Sequence, residues 1–357
     1  MSFEDPAKHA AIAHAREIIL SEVAAKAPGV SVTVAMHGSV VWSEQFGVVN
    51  LDPKAPVTSE TRFRIGSVSK PLTAAGIGLL VERGLLNLDA PIQKYVPDFP
   101  EKEGVITARM LAGHLSGIRH YRGTEAVFNK PYPNLRSGFG IFENDPLESA
   151  PGTKYKYCSY GWNLLGGVME GAAGQDFSSF IHENILQPLN LTNTMPDLAS
   201  AADEKRTSFY EMGADGKFFV PPQVDLSYGW PSGGYLSTTE DLARFGMAHF
   251  QPDFLKPETL KLLWTTQHTN DGAPTNYGIG WFTKPGSFYH GGDSFGGTCA
   301  LLLVPKFRLV IALATNVGHG IIANAVRRGR IKAEDVKPFL FHKETIVYKL
   351  AKPFITT

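Results

Sequence analysis

The sequence predicts an α+β fold in which an antiparallel sheet is interrupted by a mostly helical subdomain. Three observations lead there: alternating apolar and polar residues early in the chain, helical spacing broken by proline and glycine in the middle, and apolar β-like runs late. On this reading residues 1–85 and 223–320 form a discontinuous sheet domain, 86–222 form the helical subdomain, and 321–357 form a C-terminal helix and tail of unassigned role. At 357 residues the chain can bury a full core and still keep a cleft between two units.

The elements follow in order. The Ala, Ile and Leu spacing of "MSFEDPAKHAAIAHAREIIL" predicts an amphipathic first helix; its early acidic residues and broken apolar content do not match a signal or transit peptide. "GVSVTVAMHGSVVWSEQFGVVN" alternates on both sides of His37-Gly38, as a two-strand hairpin requires. "PVTSETRFRIGSVSK" then leads into "LTAAGIGLLVERG", a helical pattern that Gly84 ends. From Asp89 to about Pro222, short helical patterns such as "GWNLLGGVMEGAAG" and "FSSFIHENILQPL" are separated by long loops. Strands return in "NYGIGWFT", "SFYHGG", "GTCALLLVP" and "FRLVIALATN", the last two paired around Pro305-Lys306.

Composition excludes several functions. Thirty-four basic residues balance thirty-four acidic ones, so no net field favours nucleic acid or an anionic membrane, and a small neutral molecule or peptide is the expected ligand. Cys158 and Cys299 cannot build a disulfide framework or a zinc site, and no apolar run reaches the roughly 20 residues of a membrane span, so a cytoplasmic protein is expected. The histidines are scattered: His182-Glu183 lacks a second histidine, and His114 and His120 have no matching acid, so neither a metal nor another cofactor is expected.

Chemistry concentrates in three stretches. In "TRFRIGSVSKPLTAAG", Ser67 and Lys70 stand three apart at a strand-to-helix junction, where their Cβ atoms would lie roughly 5–6 Å apart on one helix face. A lysine with a lowered pKa could take the serine proton; the plainer alternative is a serine N-cap beside an unrelated surface lysine. In "KYKYCSYGWNLLG", Tyr157 precedes a helix and could relay a proton if a nearby ammonium favours its anion, or could be an ordinary boundary tyrosine. In "SFYHGGDSFGG", His290 ends a strand, and Gly291 and Gly292 would let a substrate backbone approach; the alternative is a hairpin turn with an incidental histidine. Gly292 to Gly296 also matches the G-x-S-x-G nucleophile elbow, but the β-like "GTCALLLVP" follows where the elbow needs a helix.

Ser-x-x-Lys, Tyr-x-Ser and His-x-Gly in this order resemble the three-part pattern of serine beta-lactamases and penicillin-binding proteins, and the chain is most similar to the class C-like branch of LACTB type. The resemblance is carried by "FRIGSVSKPLTAAGIGLLVERGLLNLDAPI", "ITARMLAGHLSGIRHY", "ENDPLESAPGTKYKYCSYGWNLLG", "VDLSYGWPSGGYLSTTEDLARFG", "LKPETLKLLW" and "HGGDSFGG", spread over residues 28–318. It implies an antiparallel sheet flanked by helices, with the active site in the cleft beside the helical subdomain. Ser67 then matches the acylated nucleophile, Lys70 its base and Tyr157 the proton relay, while the backbone N–H groups of Ser67 and Asp293 match the oxyanion hole. Two positions depart from the penicillin-recognising enzymes: Ser159 stands where they carry Asn, and His290 where they carry Lys, which leaves any positive charge there absent or pH-dependent. Both departures favour an esterase or small-peptide and amide hydrolase over a true beta-lactamase or D-alanyl-D-alanine peptidase. A LACTB-like scaffold with little turnover is the non-enzymatic alternative, and homo-oligomers stay open. The animal LACTB-type proteins are mitochondrial with a long insertion between the "SGIRHY" and "NDPL" regions; the short connection here implies a compact microbial relative.

Overall fold

The computed structural model describes residues 6–355; the acidic residues noted at the extreme N-terminus lie outside that range. The early hairpin forms as β1 (Gly29–Met36) and β2 (Ser39–Leu51), joined by His37 and Gly38, which both take positive φ and so match the strand twist. With β3 (Lys54–Pro56), β4 (Phe282–Lys284), β5 (Ser287–Ser294), β6 (Gly297–Val304) and β7 (Leu309–Thr315) it builds a seven-stranded sheet in the order β3-β2-β1-β7-β6-β5-β4. Every pairing is antiparallel. The two halves of the sheet meet where β1 pairs with β7, Val30 opposite Thr315 through Met36 opposite Leu309, so the sheet is complete only once the helical middle has been spanned.

The long apolar runs of β6 and β7 arise because both faces of the sheet are covered. On one face Leu301, Leu303, Val310 and Ala312 join a core with α2 (Ser69–Glu82) and α3 (Ser159–Ala173), and that core is continuous through the helical middle. On the other face Ala300, Leu302, Ile311 and Leu313 pack against α1 (Pro6–Glu22) and α4 (Lys343–Ile355). The C-terminal segment, unassigned from sequence, is therefore half of the outer layer. Ile346, Val347, Leu350 and Phe354 of α4 are buried there, and Lys349 pairs with Glu22 of α1 at 2.6 Å.

The nucleophile candidate sits where a short strand, Phe63–Arg64, turns through the 3-10 segment Gly66–Val68 into α2. Ser67 does not cap the helix; Ser69 serves the turn instead, its Oγ donating to the Gly66 carbonyl at 2.8 Å. Helix α2 is buried on nearly every side from Ser69 to Gly78, which carries Lys70 into the interior. Because α4 is held by apolar burial, Leu350→Ala should cost about 2–5 kcal/mol of stability in urea unfolding. A loss below about 0.5 kcal/mol, the scale of an exposed surface change, would contradict the outer-layer role of α4.

Candidate active site

Ser67 is partly exposed, whereas Lys70 behind it has no accessible surface. The Lys70 Nζ donates to Ser67 Oγ at 3.0 Å and to the Ser232 carbonyl at 2.6 Å, the latter in the short helix Trp230–Gly233. Thr73 ties α2 to the same helix by donating to the Pro231 carbonyl at 2.8 Å. Among the described residues no carboxylate compensates the lysine; burial lowers its pKa to about 7, opposed only weakly by the nearby Cys158. Lysine as a free base within reach of a hydroxyl is therefore a normal population at neutral pH.

Tyr157 lies across this pair. Its hydroxyl interacts with the Ser67 side chain, and Lys70 Nζ sits 4.8 Å from its ring centroid. The sequence-based expectation that a neighbouring ammonium favours the tyrosine anion is corrected: burial dominates and pushes Tyr157 upward, so it is a neutral phenol. Two histidines hold it. The Cys158 N–H donates to His114 Nδ1 at 3.1 Å, the Ser159 N–H donates to His120 Nδ1 at 3.2 Å, and the His114 ring lies 4.2 Å from that of Tyr157. A ring nitrogen accepts only when unprotonated, and burial, first among the causes, lowers both imidazoles, His120 to about 4. Set aside in the sequence as histidines lacking a metal-binding partner, they are acceptors for the backbone on either side of Cys158.

His290 lies on another side of Tyr157, their ring centroids 6.4 Å apart. It is fully buried, with Nδ1 2.8 Å from its neighbour's carbonyl at Gly291 and Nε2 3.0 Å from Tyr277 Oη. A carbonyl can only accept, so Nδ1 carries the proton and Nε2 accepts from the tyrosine. Burial, with a smaller contribution from Lys70, lowers its pKa to about 3, so of the two outcomes the sequence leaves open for the charge at this position, its loss is the one favoured near neutrality. The two glycines serve the chain itself. A Cβ on Gly292 would lie 1.8 Å from the Ile65 carbonyl oxygen and 3.1 Å from the Ser67 nitrogen, so β5 packs against the nucleophile turn there. A Cβ on Gly291 would strike Tyr289 Oη on the opposite face, at 2.3 Å.

The β4 pairing of β5 ends at Tyr289, and the nucleophile turn packs against the edge beyond it. Ser294 pairs with Gly297 around the two-residue tip Phe295-Gly296, and Asp293 pairs with Thr298. A closing hairpin pair is hydrogen-bonded and the next is not, so the Asp293 N–H points out of the ladder toward the Ser67 turn. The Asp293 carboxylate turns away to Lys343 of α4, at 2.6 Å. Ser67 and Asp293 open on a cleft of about 140 Å³ shared with Tyr121, Ser159, Tyr228 and Ser232. The Tyr121 hydroxyl interacts with the hydroxyls of the other three. Among the described residues no cationic side chain lines this cleft. A larger concavity of about 480 Å³ elsewhere is bordered by Arg64 and Arg206, both committed to Asp197, and contains none of these groups.

Three comparisons bear on this geometry. A family model described as Beta-lactamase matches residues 12–334. The human mitochondrial serine beta-lactamase-like protein LACTB is 29% identical over 323 residues, covering 67% of this chain and 59% of that protein. The chain spans about three fifths of the length of the mammalian relatives it matches. Among solved structures, the octameric penicillin-binding protein homologue from Pyrococcus abyssi superposes with a TM-score of 0.74 at 24% identity, covering 89% of this chain and 77% of that one. The D-amino acid amidase from Ochrobactrum anthropi gives a TM-score of 0.76 at 20% identity, covering 90% and 100% respectively. At these identities the two structures speak for the fold, a beta-lactamase and transpeptidase-like α+β architecture.

The His290 geometry has a direct readout. Its imidazole should hold one neutral Nδ1–H tautomer in ¹⁵N NMR from pH 8 down to pH 5. Titration with a midpoint near the ordinary value of about 6.5 would contradict the buried, Tyr277-bonded ring.

Proposed function

The chain belongs to the beta-lactamase family, and from that premise we propose a serine hydrolase that cleaves short, neutral esters or small amides through an acyl-enzyme on Ser67. The observation that carries this reading is the uncompensated, fully buried Lys70 with its Nζ 3.0 Å from the accessible Ser67 hydroxyl.

In the proposed cycle Lys70 removes the Ser67 proton as Oγ attacks the substrate carbonyl. The Ser67 and Asp293 N–H groups receive the developing oxyanion, donors of a kind often worth about 3–4 kcal/mol each in the transition state. Tyr157, as a neutral phenol whose hydroxyl faces the Ser67 side chain, passes a proton to the leaving group and is reprotonated from Lys70. Among the described residues no glutamate lines the cleft, so the same pair would activate the deacylating water. A small cleft without a cationic side chain favours acyl groups that are short and carry no carboxylate, which argues against a dedicated beta-lactamase. Two buried free thiols fit the proposed cytoplasmic setting. Whether copies of the chain associate is read by light scattering.

A fluorophosphonate should modify the peptide bearing Ser67, and Ser67→Ala should lower ester kcat by at least about 10³-fold, the scale seen when a nucleophile is removed. An adduct elsewhere, or unchanged turnover in the variant, overturns the reading. The sign of the pH dependence follows from Lys70: its neutral form is the base and predominates above about pH 7, so acylation should fall as pH drops below that value and level off above it. An acylation rate that peaks well below pH 6 would remove Lys70 from the role of base.

A further inference from the structure

Only one residue, Ser294, separates Asp293 from the tip of a β-hairpin, a place where backbone is usually mobile. Here the tip is held through a single peptide group. The Phe295 carbonyl accepts from Arg64 Nη1 at 2.8 Å, and the Gly296 N–H of the same peptide donates to Glu211 Oε1 at 3.0 Å. Arg64 lies three residues before Ser67 in the strand that delivers the nucleophile turn, and its Nε is fixed by Asp197 Oδ2 at 2.7 Å. Its guanidinium carbon sits 3.9 Å from the Phe209 ring centroid. Glu211 has no accessible surface; its second oxygen accepts from the Ile321 N–H at 3.4 Å, at the start of the helix Gly320–Arg327.

The fit leaves no slack. A Cβ on Gly318 would lie 2.0 Å from Glu211 Oε1, and one on Gly296 would lie 2.3 Å from Phe209 Cβ. A buried carboxylate that accepts only backbone N–H groups, and has no ion-pair partner among the described residues, is costly to keep. What the group holds in place is the backbone of the hairpin tip and of the helix start. We propose that Glu211 and Arg64 are positioning residues: they clamp the Phe295–Gly296 peptide from both ends and so fix the Asp293 N–H against Ser67. This rests on the oxyanion role proposed above for Asp293.

The test compares Glu211→Ala, Glu211→Gln and Glu211→Asp with the wild type. The readouts are p-nitrophenyl ester kinetics and affinity for an arylboronic acid, whose tetrahedral adduct with a serine hydroxyl places an oxygen in the oxyanion position. Glutamine keeps an acceptor for the Gly296 N–H; alanine removes it, and aspartate withdraws it by one methylene. The clamp predicts that Glu211→Ala and Glu211→Asp lower kcat by about ten- to a hundredfold with KM within about twofold, and weaken boronate binding in parallel, while Glu211→Gln stays within about threefold of wild type. If Glu211→Ala does not fold, the aspartate and glutamine variants decide. Wild-type kinetics in the aspartate variant, or a loss in the glutamine variant equal to that in the aspartate one, overturns the clamp. Fluorophosphonate labelling of Ser67 in the wild type separates this failure from that of the underlying mechanism: without that adduct both fall, and with it only the clamp is at stake.

Discussion

A buried lysine without a counterion is the constraint on which the rest of this molecule depends. Among the described residues Lys70 has only a serine hydroxyl and one carbonyl for hydrogen-bond partners, and burial makes its charged form unfavourable near neutrality. The fold is arranged to maintain that burial: α2 is enclosed from Ser69 to Gly78, the helix Trp230–Gly233 closes over it, and the Tyr157 ring covers the remaining side. The arrangement has a thermodynamic sign. An unfolded lysine keeps its proton to about 10.4, whereas the folded one releases it near 7. The unfolded chain therefore binds more protons between those values, and this residue makes folding less favourable as pH falls across that window, with no further loss below it. Stability is given up at the position where a base is needed.

The surroundings of Lys70 are polar and uncharged. His114 and His120 accept backbone N–H groups, and His290 is fixed between Tyr277 and its neighbouring carbonyl. Each of the three is lowered chiefly by burial, with Lys70 adding to the effect. Neutral imidazoles organise the loop around Tyr157 without placing a positive charge beside the lysine. The same neutrality extends into the cleft, where Asp293 is paired with Lys343 on the far side of its strand.

Much of this was legible in the chain. Period-two alternation around His37-Gly38 located the first hairpin, and the i, i+3 spacing placed Ser67 and Lys70 together at a helix start. What sequence could not supply was the neighbours. Whether Lys70 faces solvent or core depends on Ser232, 162 residues away, and on which faces of α2 are covered. The sequence leaves the charge of His290 open until Tyr277 is seen to donate to it, and Gly292 reads as room for a substrate until Ile65 is found in that space. His114 and His120 lay inside a family-like stretch, but a histidine accepting from the backbone has no spacing rule to announce it. The role of the last segment stayed unread for a related reason: α4 completes a layer with α1 from the other end of the chain, so neither helix has a partner visible in its own sequence. The G-x-S-x-G pattern was resolved in the opposite way, by β-like text after it, and forms the β5–β6 hairpin.

The central claim is that Lys70 is a free base at neutral pH because it is buried, and it can be measured on the lysine itself. Heteronuclear NMR of protein labelled at lysine Cε, with the signal assigned through Lys70→Arg, gives its titration curve directly. The account predicts a midpoint near 7. A midpoint near the ordinary lysine value of about 10.4 would contradict it and leave Ser67 without a base at neutral pH.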